Sequence, residues 1–208
     1  PVFKAVKKAE SILYQNEKSK SYKTPAGNSE YCKNILDLVL GEDILSERKD
    51  KVGAIQIPGA GSGLRIAGEL IKNNVQNKLI SIPDPTWGQQ PFMFEKAGLK
   101  ISKHTYYNEQ NNFLDFDNMI NDLNKLKSGD SLLLHGCCHN PTGADLSLEQ
   151  WEQVANICVK KGILPFIDLV YQGLGKSIID DVFGIRKLVQ IVPEVIITVS
   201  SSKTFGVY

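Results

Sequence analysis

Between residues 53 and 199, short β-branched apolar runs alternate with longer amphipathic stretches, and few folds accommodate that alternation. Strand candidates lie near 53–57, 79–82, 99–105, 131–135, 163–167 and 195–199. Helical stretches fall between most of them, at about 62–75, 87–97, 115–127, 147–161 and 179–191. Ser147-Leu148-Glu149-Gln150 has the spacing of a capping box, which marks the start of the fourth of these helices. A strand followed by a helix and then another strand pairs in parallel, so the expected class is α/β, a mostly parallel sheet with helices on both faces. Ahead of this region, Val2, Val6, Ala9, Ile12 and Leu13 form a helical stripe, and residues 21–28 read as a loop. Asn28 or Ser29 then caps a helix that runs through Leu40 and closes at Gly41.

Composition narrows the class of partner. A formal charge of +1 over 208 residues gives no electrostatic reason to bind nucleic acid or an anionic membrane. No apolar run approaches the ~20 residues that span a bilayer. Four cysteines, Cys32, Cys137, Cys138 and Cys158, are too few and too unevenly spaced for a disulfide framework, so a reducing, cytoplasmic setting is expected. The Pro1-Val2-Phe3-Lys4 start and the end at Tyr208 suggest an internal segment of a longer chain.

In a parallel sheet, ligands gather beyond the carboxyl ends of the strands. Reactive and small residues collect at those positions. Gly59-Ala60-Gly61-Ser62-Gly63 precedes a helix and suits an anion, because small residues let backbone amides approach it. An ordinary glycine turn explains it equally well, and its spacing differs from a nicotinamide fingerprint. Trp87 follows a proline-rich turn and can stack on a flat ring, although packing is the commoner role of such a residue. Asp168 ends an apolar strand, where a carboxylate needs a partner; it can hold a proton on a ring nitrogen or cap a turn. Tyr171 can face the same cavity. Alternation would place His135, Cys137 and His139 on one face, but a second pair of metal ligands is missing. Asn140, in Asn-Pro-Thr-Gly, can donate an amide hydrogen to a ligand. Last, Val195-Ile196-Ile197-Thr198-Val199 runs into Ser200-Ser201-Ser202-Lys203, delivering an amine to the sheet edge that can form a Schiff base with a carbonyl. Ser200-x-x-Lys203 also matches a serine-lysine acyl hydrolase, whose Ser-Asp-Asn and Lys-Thr-Gly companions do not occur.

Together these residues resemble the class I aminotransferases, within them the aspartate/aromatic subgroup. The likeness rests on His135-Gly-Cys-Cys-His-Asn-Pro-Thr-Gly143, Asp168-x-x-Tyr171-Gln-Gly173 and Ser200-x-x-Lys203-x-Phe-Gly-x-Tyr208, in that order. It extends back through Trp87 and the glycine loop to Pro1. The resemblance implies the fold of type I pyridoxal phosphate-dependent transferases, with residues 1–208 as an incomplete cofactor-binding large domain. It implies that Lys203 forms the Schiff base with pyridoxal 5′-phosphate and carries a proton, and that Asp168 pairs with the pyridinium nitrogen. Asn140 and Tyr171 would bond the phenolic oxygen, and Trp87 would stack on the ring. Ser200 would bind the phosphate with the Ala60-Gly61 backbone. His135 would stand behind the aspartate. Tyr22, in Lys-Ser-Tyr-Lys, would reach the phosphate of a neighbouring subunit in a homodimer.

The implied reaction is aspartate aminotransfer: an amino group moves from L-aspartate to 2-oxoglutarate, both small-molecule substrates. An aromatic aminotransferase is the nearest alternative; a serine-lysine hydrolase or a non-catalytic dimerisation module are the others. Two departures from the family pattern stand out. Gly61 and Ser62 replace the usual order around the loop hydroxyl, and Gln90 occupies the place where the family often has a histidine touching the aspartate. The arginines that clamp phosphate and substrate carboxylates in the family would lie beyond Tyr208, so residues 1–208 alone are expected to be nearly inactive.

Overall fold

The computed structural model describes residues 2–22 and 24–208. Pro1, and Lys23 at the end of the motif around Tyr22, lie outside the described residues. Five parallel strands form the central sheet: β1 (Leu79–Asp84), β2 (Lys100–Thr105), β5 (Ser131–His135), β6 (Leu164–Leu169) and β7 (Ile196–Val199), in the order β2-β1-β5-β6-β7. A small antiparallel pair, β3 (Tyr107–Asn108) and β4 (Phe113–Leu114), lies outside it.

Helices cover both faces, as the alternation required. Successive residues of β5 and β6 point to opposite sides. Leu132, Leu134, Ile167 and Leu169 join a core with α2 (Ser29–Glu47), α5 (Phe116–Leu123), α6 (Leu148–Lys161) and α7 (Phe183–Ile191), through Val39, Met119, Val154 and Ile185. Leu133 and Phe166 face the other way, onto Leu64 and Ile71 of α3 (Ala60–Asn74) and Phe94 of α4 (Gln90–Ala97). Leu132–Leu134 of β5 and Leu164–Ile167 of β6 are therefore unbroken apolar runs. Ser147 caps α6 through the full capping box: its hydroxyl accepts from Gln150 N while Gln150 reaches back to the Ser147 N–H. No described helix is long and apolar enough to cross a membrane.

Several expectations change. Residues 53–57 form no strand, although the run is apolar enough. Gln56 N donates to Ala26 O, a loop contact; no neighbouring strand is present among the described residues to complete a ladder. The helix capped by Asn28 continues past Gly41 to Glu47; Gly41 (φ 78°) kinks it instead of ending it, because glycine tolerates that backbone. The Lys4–Asn16 helix, α1, forms as its periodicity predicts but buries none of its residues. The helix expected from 87 begins at Gln90, which leaves Trp87 in the preceding turn. The stretch 179–191 is a short 3₁₀ turn, Asp180–Val182, followed by α7. A last one-turn helix, α8 (Ser202–Phe205), follows β7.

From β1 the chain steps outward to β2, whereas β5, β6 and β7 step the other way. The crevice between the carboxyl ends of β1 and β5 is thus a topological switch point, the place where open α/β sheets accept ligands.

Candidate active site

Four strand ends converge on that crevice. β1 leads to Thr86 and Trp87, β5 to His135 and Asn140, β6 carries Asp168 and leads to Tyr171, and β7 leads to Ser200 and Lys203. His135 and Asp168 sit opposite each other in the β5–β6 register.

Asp168 is the centre of a buried polar cluster. It is 5% exposed. Its Oδ2 accepts from Gln90 Nε2 at 2.7 Å, whereas its Oδ1 is buried with no hydrogen-bond partner. Burial pushes the Asp168 carboxyl up to about 6, against the opposing pull of the Gln90 hydrogen bond and the Lys203 charge. Gln90 Oε1 accepts from Thr86 Oγ1 and lies 3.0 Å from His135 Nε2. Asn140 N donates to His135 Nδ1 at 3.2 Å, which ties the loop after β5 to the strand it leaves.

Lys203 lies half-buried on α8, its Nζ 5.5 Å from the centre of the Tyr171 ring. Thr204 Oγ1 donates to Gln172 O at 2.9 Å, locking this turn to the loop after β6. Ser200 is buried, and its Oγ accepts from Ser202 N at 3.3 Å. It precedes α8, so Ser200 and Lys203 do not share a helix face as the serine-lysine hydrolase pattern requires.

Trp87 is 36% exposed, at the rim rather than in the core. Gly59 (φ 82°) caps α3, placing Ala60 and Gly61 in its first turn, where backbone amides lack helical partners. This end of α3 packs tightly on β7: a side chain at Gly63 would meet Ile57 at 2.5 Å and Thr198 at 2.6 Å. The helix start is thereby held beside the strand that leads to Ser200. Tyr22 is fully exposed and is not brought into this cluster.

The expected common face of His135, Cys137 and His139 does not form. Cys138 takes a left-handed backbone (φ 48°), which breaks the alternation. Cys137 turns into the apolar core, while the His135 and His139 rings stack with centres 4.4 Å apart. Among the described residues, no group of three or more His, Cys, Asp or Glu comes together as a metal site.

Two carboxylates that the sequence reading passed over hold the loops in place. Asp145 accepts from Cys138 N (2.8 Å) and His139 N (2.9 Å). Asp181 is 8% exposed and accepts from Gly173 N, Gly175 N, Lys176 N and Ser177 N at 2.7–3.4 Å. An acid a few residues beyond a Gly-x-Gly loop was the available signal. Asp181→Ala strands buried amides and should cost about 2–4 kcal/mol; urea unfolding of the complete protein measures this, and a loss below about 0.5 kcal/mol would contradict it.

Comparisons with known proteins bear on the family and the fold. A family model described as aminotransferase class I and II matches residues 1–208. The aspartate aminotransferase of Escherichia coli (strain K12) is 38% identical over 208 residues, which is 100% of this chain and 52% of that protein. A solved aromatic amino acid aminotransferase with 3-indolebutyric acid superposes with a TM-score of 0.95 at 38% identity, over 100% of this chain and 52% of the other. The aromatic-amino-acid aminotransferase of Burkholderia pseudomallei, solved covalently bound to pyridoxal phosphate, gives a TM-score of 0.95 at 31% identity over the same shares. The chain spans about half the length of the curated relatives it matches.

Proposed function

The chain belongs to the class I and II aminotransferases, and from that premise we propose that the complete protein is an aspartate aminotransferase using pyridoxal phosphate. It would move the amino group of L-aspartate to 2-oxoglutarate, giving oxaloacetate and L-glutamate. Residues 1–208 would be part of its cofactor-binding large domain.

The observation that carries the cofactor is the orphaned Asp168 Oδ1. A buried carboxylate oxygen without a donor is costly, and a protonated ring nitrogen supplies both the donor and the opposite charge. The rest of the cluster fits the same group. Ser200 and the first amides of α3 would take the phosphate, Trp87 a flat face, and Asn140 and Tyr171 a ring oxygen. When bound, pyridoxal phosphate supplies an electron sink conjugated with the substrate's Cα.

The chain's own residues then do the following. Asp168, anionic once paired, would keep the ring nitrogen protonated. The Lys203 amine would accept the proton leaving the substrate's Cα and return it. Trp87 would cover one side of the site. Tyr22, fully exposed in this chain, would reach the phosphate of a second subunit, so the complete protein is proposed to be a homodimer. Relatives named for aromatic substrates match as well as those named for aspartate, which supports an aromatic aminotransferase as the second reading.

Steady-state kinetics of the complete protein decides between them. With 2-oxoglutarate as acceptor, kcat/KM for aspartate should exceed that for phenylalanine by about tenfold or more. The reverse order would assign the aromatic function. Absence of bound cofactor and of transamination with either donor would overturn the reading altogether.

A further inference from the structure

We infer that Gln90 is a positioning residue that ties Asp168 to a histidine locked in one neutral form, so that no titratable imidazole bears directly on the carboxylate facing the cofactor's ring nitrogen. The inference rests on the cofactor reading above for its last clause alone; the locked histidine stands on this chain's own hydrogen bonds.

Gln90 is fully buried, and each of its polar atoms is engaged. Only the NH₂ end of an amide can donate to a carboxylate, and the 2.7 Å contact with Asp168 Oδ2 therefore orients the side chain. The oxygen must then be the atom that meets Thr86 Oγ1 and, at 3.0 Å, His135 Nε2. An amide oxygen cannot donate, so His135 Nε2 carries the hydrogen. At the other side of the ring, Asn140 N points at Nδ1 from 3.2 Å, which requires a lone pair there. The two contacts, from α4 and from the loop after β5, select the same tautomer. A second proton on His135 would set an N–H against the Asn140 N–H, and burial already pushes the ring down to about 4.

The surrounding groups reinforce this state. His139 stacks on His135 and turns its Nδ1 to Thr142 Oγ1 at 2.9 Å; burial and the two other histidines hold it down to about 3. His104 on β2 bonds Ser81 Oγ at 3.0 Å; burial pushes it down to about 3, although Asp122 pulls the other way. Lys203 is the charged group that bears on Asp168. A neutral amide therefore passes a donor to Asp168 without adding a charge that changes with pH. A histidine at position 90 would add such a charge.

Two measurements on the complete protein test this. In the ¹⁵N-labelled, cofactor-free form, His135 should show a protonated Nε2 and bare Nδ1, unchanged over roughly pH 5.5–8. An Nδ1–H form, or titration in that window, overturns the inference. Second, Gln90→Leu should weaken pyridoxal phosphate binding by about tenfold or more. It should change by less than about twofold the binding of the analogue whose ring nitrogen is replaced by CH, because that analogue makes no use of Asp168. Equal weakening toward both would reduce Gln90 to a packing role and overturn the proposal. Failure of the parent protein to bind cofactor or analogue would instead overturn the functional reading, while the His135 spectrum still decides whether the histidine is locked.

Discussion

Lys203→Ala should lower transamination kcat/KM in the complete protein by more than about 10⁴-fold while leaving the fold intact. Lys203 is the amine that β7 and the single turn of α8 deliver to the crevice, on the same side as Tyr171 and within electrostatic reach of Asp168. It makes no ion pair among the described residues, and the buried Asp168 that feels its charge keeps the Gln90 hydrogen bond, so the thermal midpoint should move little. Covalent trapping of the cofactor by borohydride, read by mass spectrometry, should disappear with the same substitution. Added small amines should restore part of the rate, because they can carry the proton that Lys203 no longer does. Persistence of trapping at another lysine would move the reaction centre elsewhere. A serine-lysine hydrolase would behave differently, losing an acylation at Ser200, and the position of Ser200 ahead of the helix already argues against it.

Asp168→Asn should separate stability from function. The folded carboxyl is raised from 3.8 to about 6, chiefly by burial. A raised carboxyl favours the protonated folded state, so its ionisation opposes folding. That cost is absent below pH 3.8, grows as pH rises toward about 6, and is complete above it, amounting to about 3 kcal/mol. In the cofactor-free protein the asparagine variant should therefore be as stable as the parent or more so at pH 8. The difference should fade as pH falls toward 4. Cofactor affinity and kcat/KM should move oppositely, kcat/KM falling by about 10²–10⁴-fold, because a neutral amide no longer holds the ring nitrogen protonated. Urea titrations at pH 8 and pH 5 check the first part and cofactor binding checks the second. An asparagine variant that unfolds without cofactor at pH 8 would show that the carboxylate is needed for the fold.

These predictions concern residues of different legibility. Lys203 and Asp168 were readable because one closely follows an apolar strand and the other lies near the end of one, where a charged group stands out against its neighbours. Strand 53–57 was misread for a related reason: an apolar run says that a segment can pair, but pairing takes a second strand, and Gln56 bonds to a loop instead. Gly41 looked like a helix stop because glycine commonly ends helices, yet the chain re-enters the helix after one left-handed residue. Asp145 and Asp181 were missed because their partners are backbone amides, which leave no mark in a side-chain pattern.

By itself, the sequence determined the alternation of strands and helices, the two-sided burial of the sheet, the cap of α6, and which reactive residues stand at strand ends. Those features follow from periodicity and local propensity, which act over a few residues. The strand order, the switch-point crevice and the Thr86–Gln90–His135–Asp168 cluster were decided by tertiary structure alone. Gln90 and Asp168 are 78 residues apart in the chain and meet only because α4 and β6 pack against the same crevice. A hydrogen bond over that separation needs the whole sheet in place first, and no local pattern encodes it.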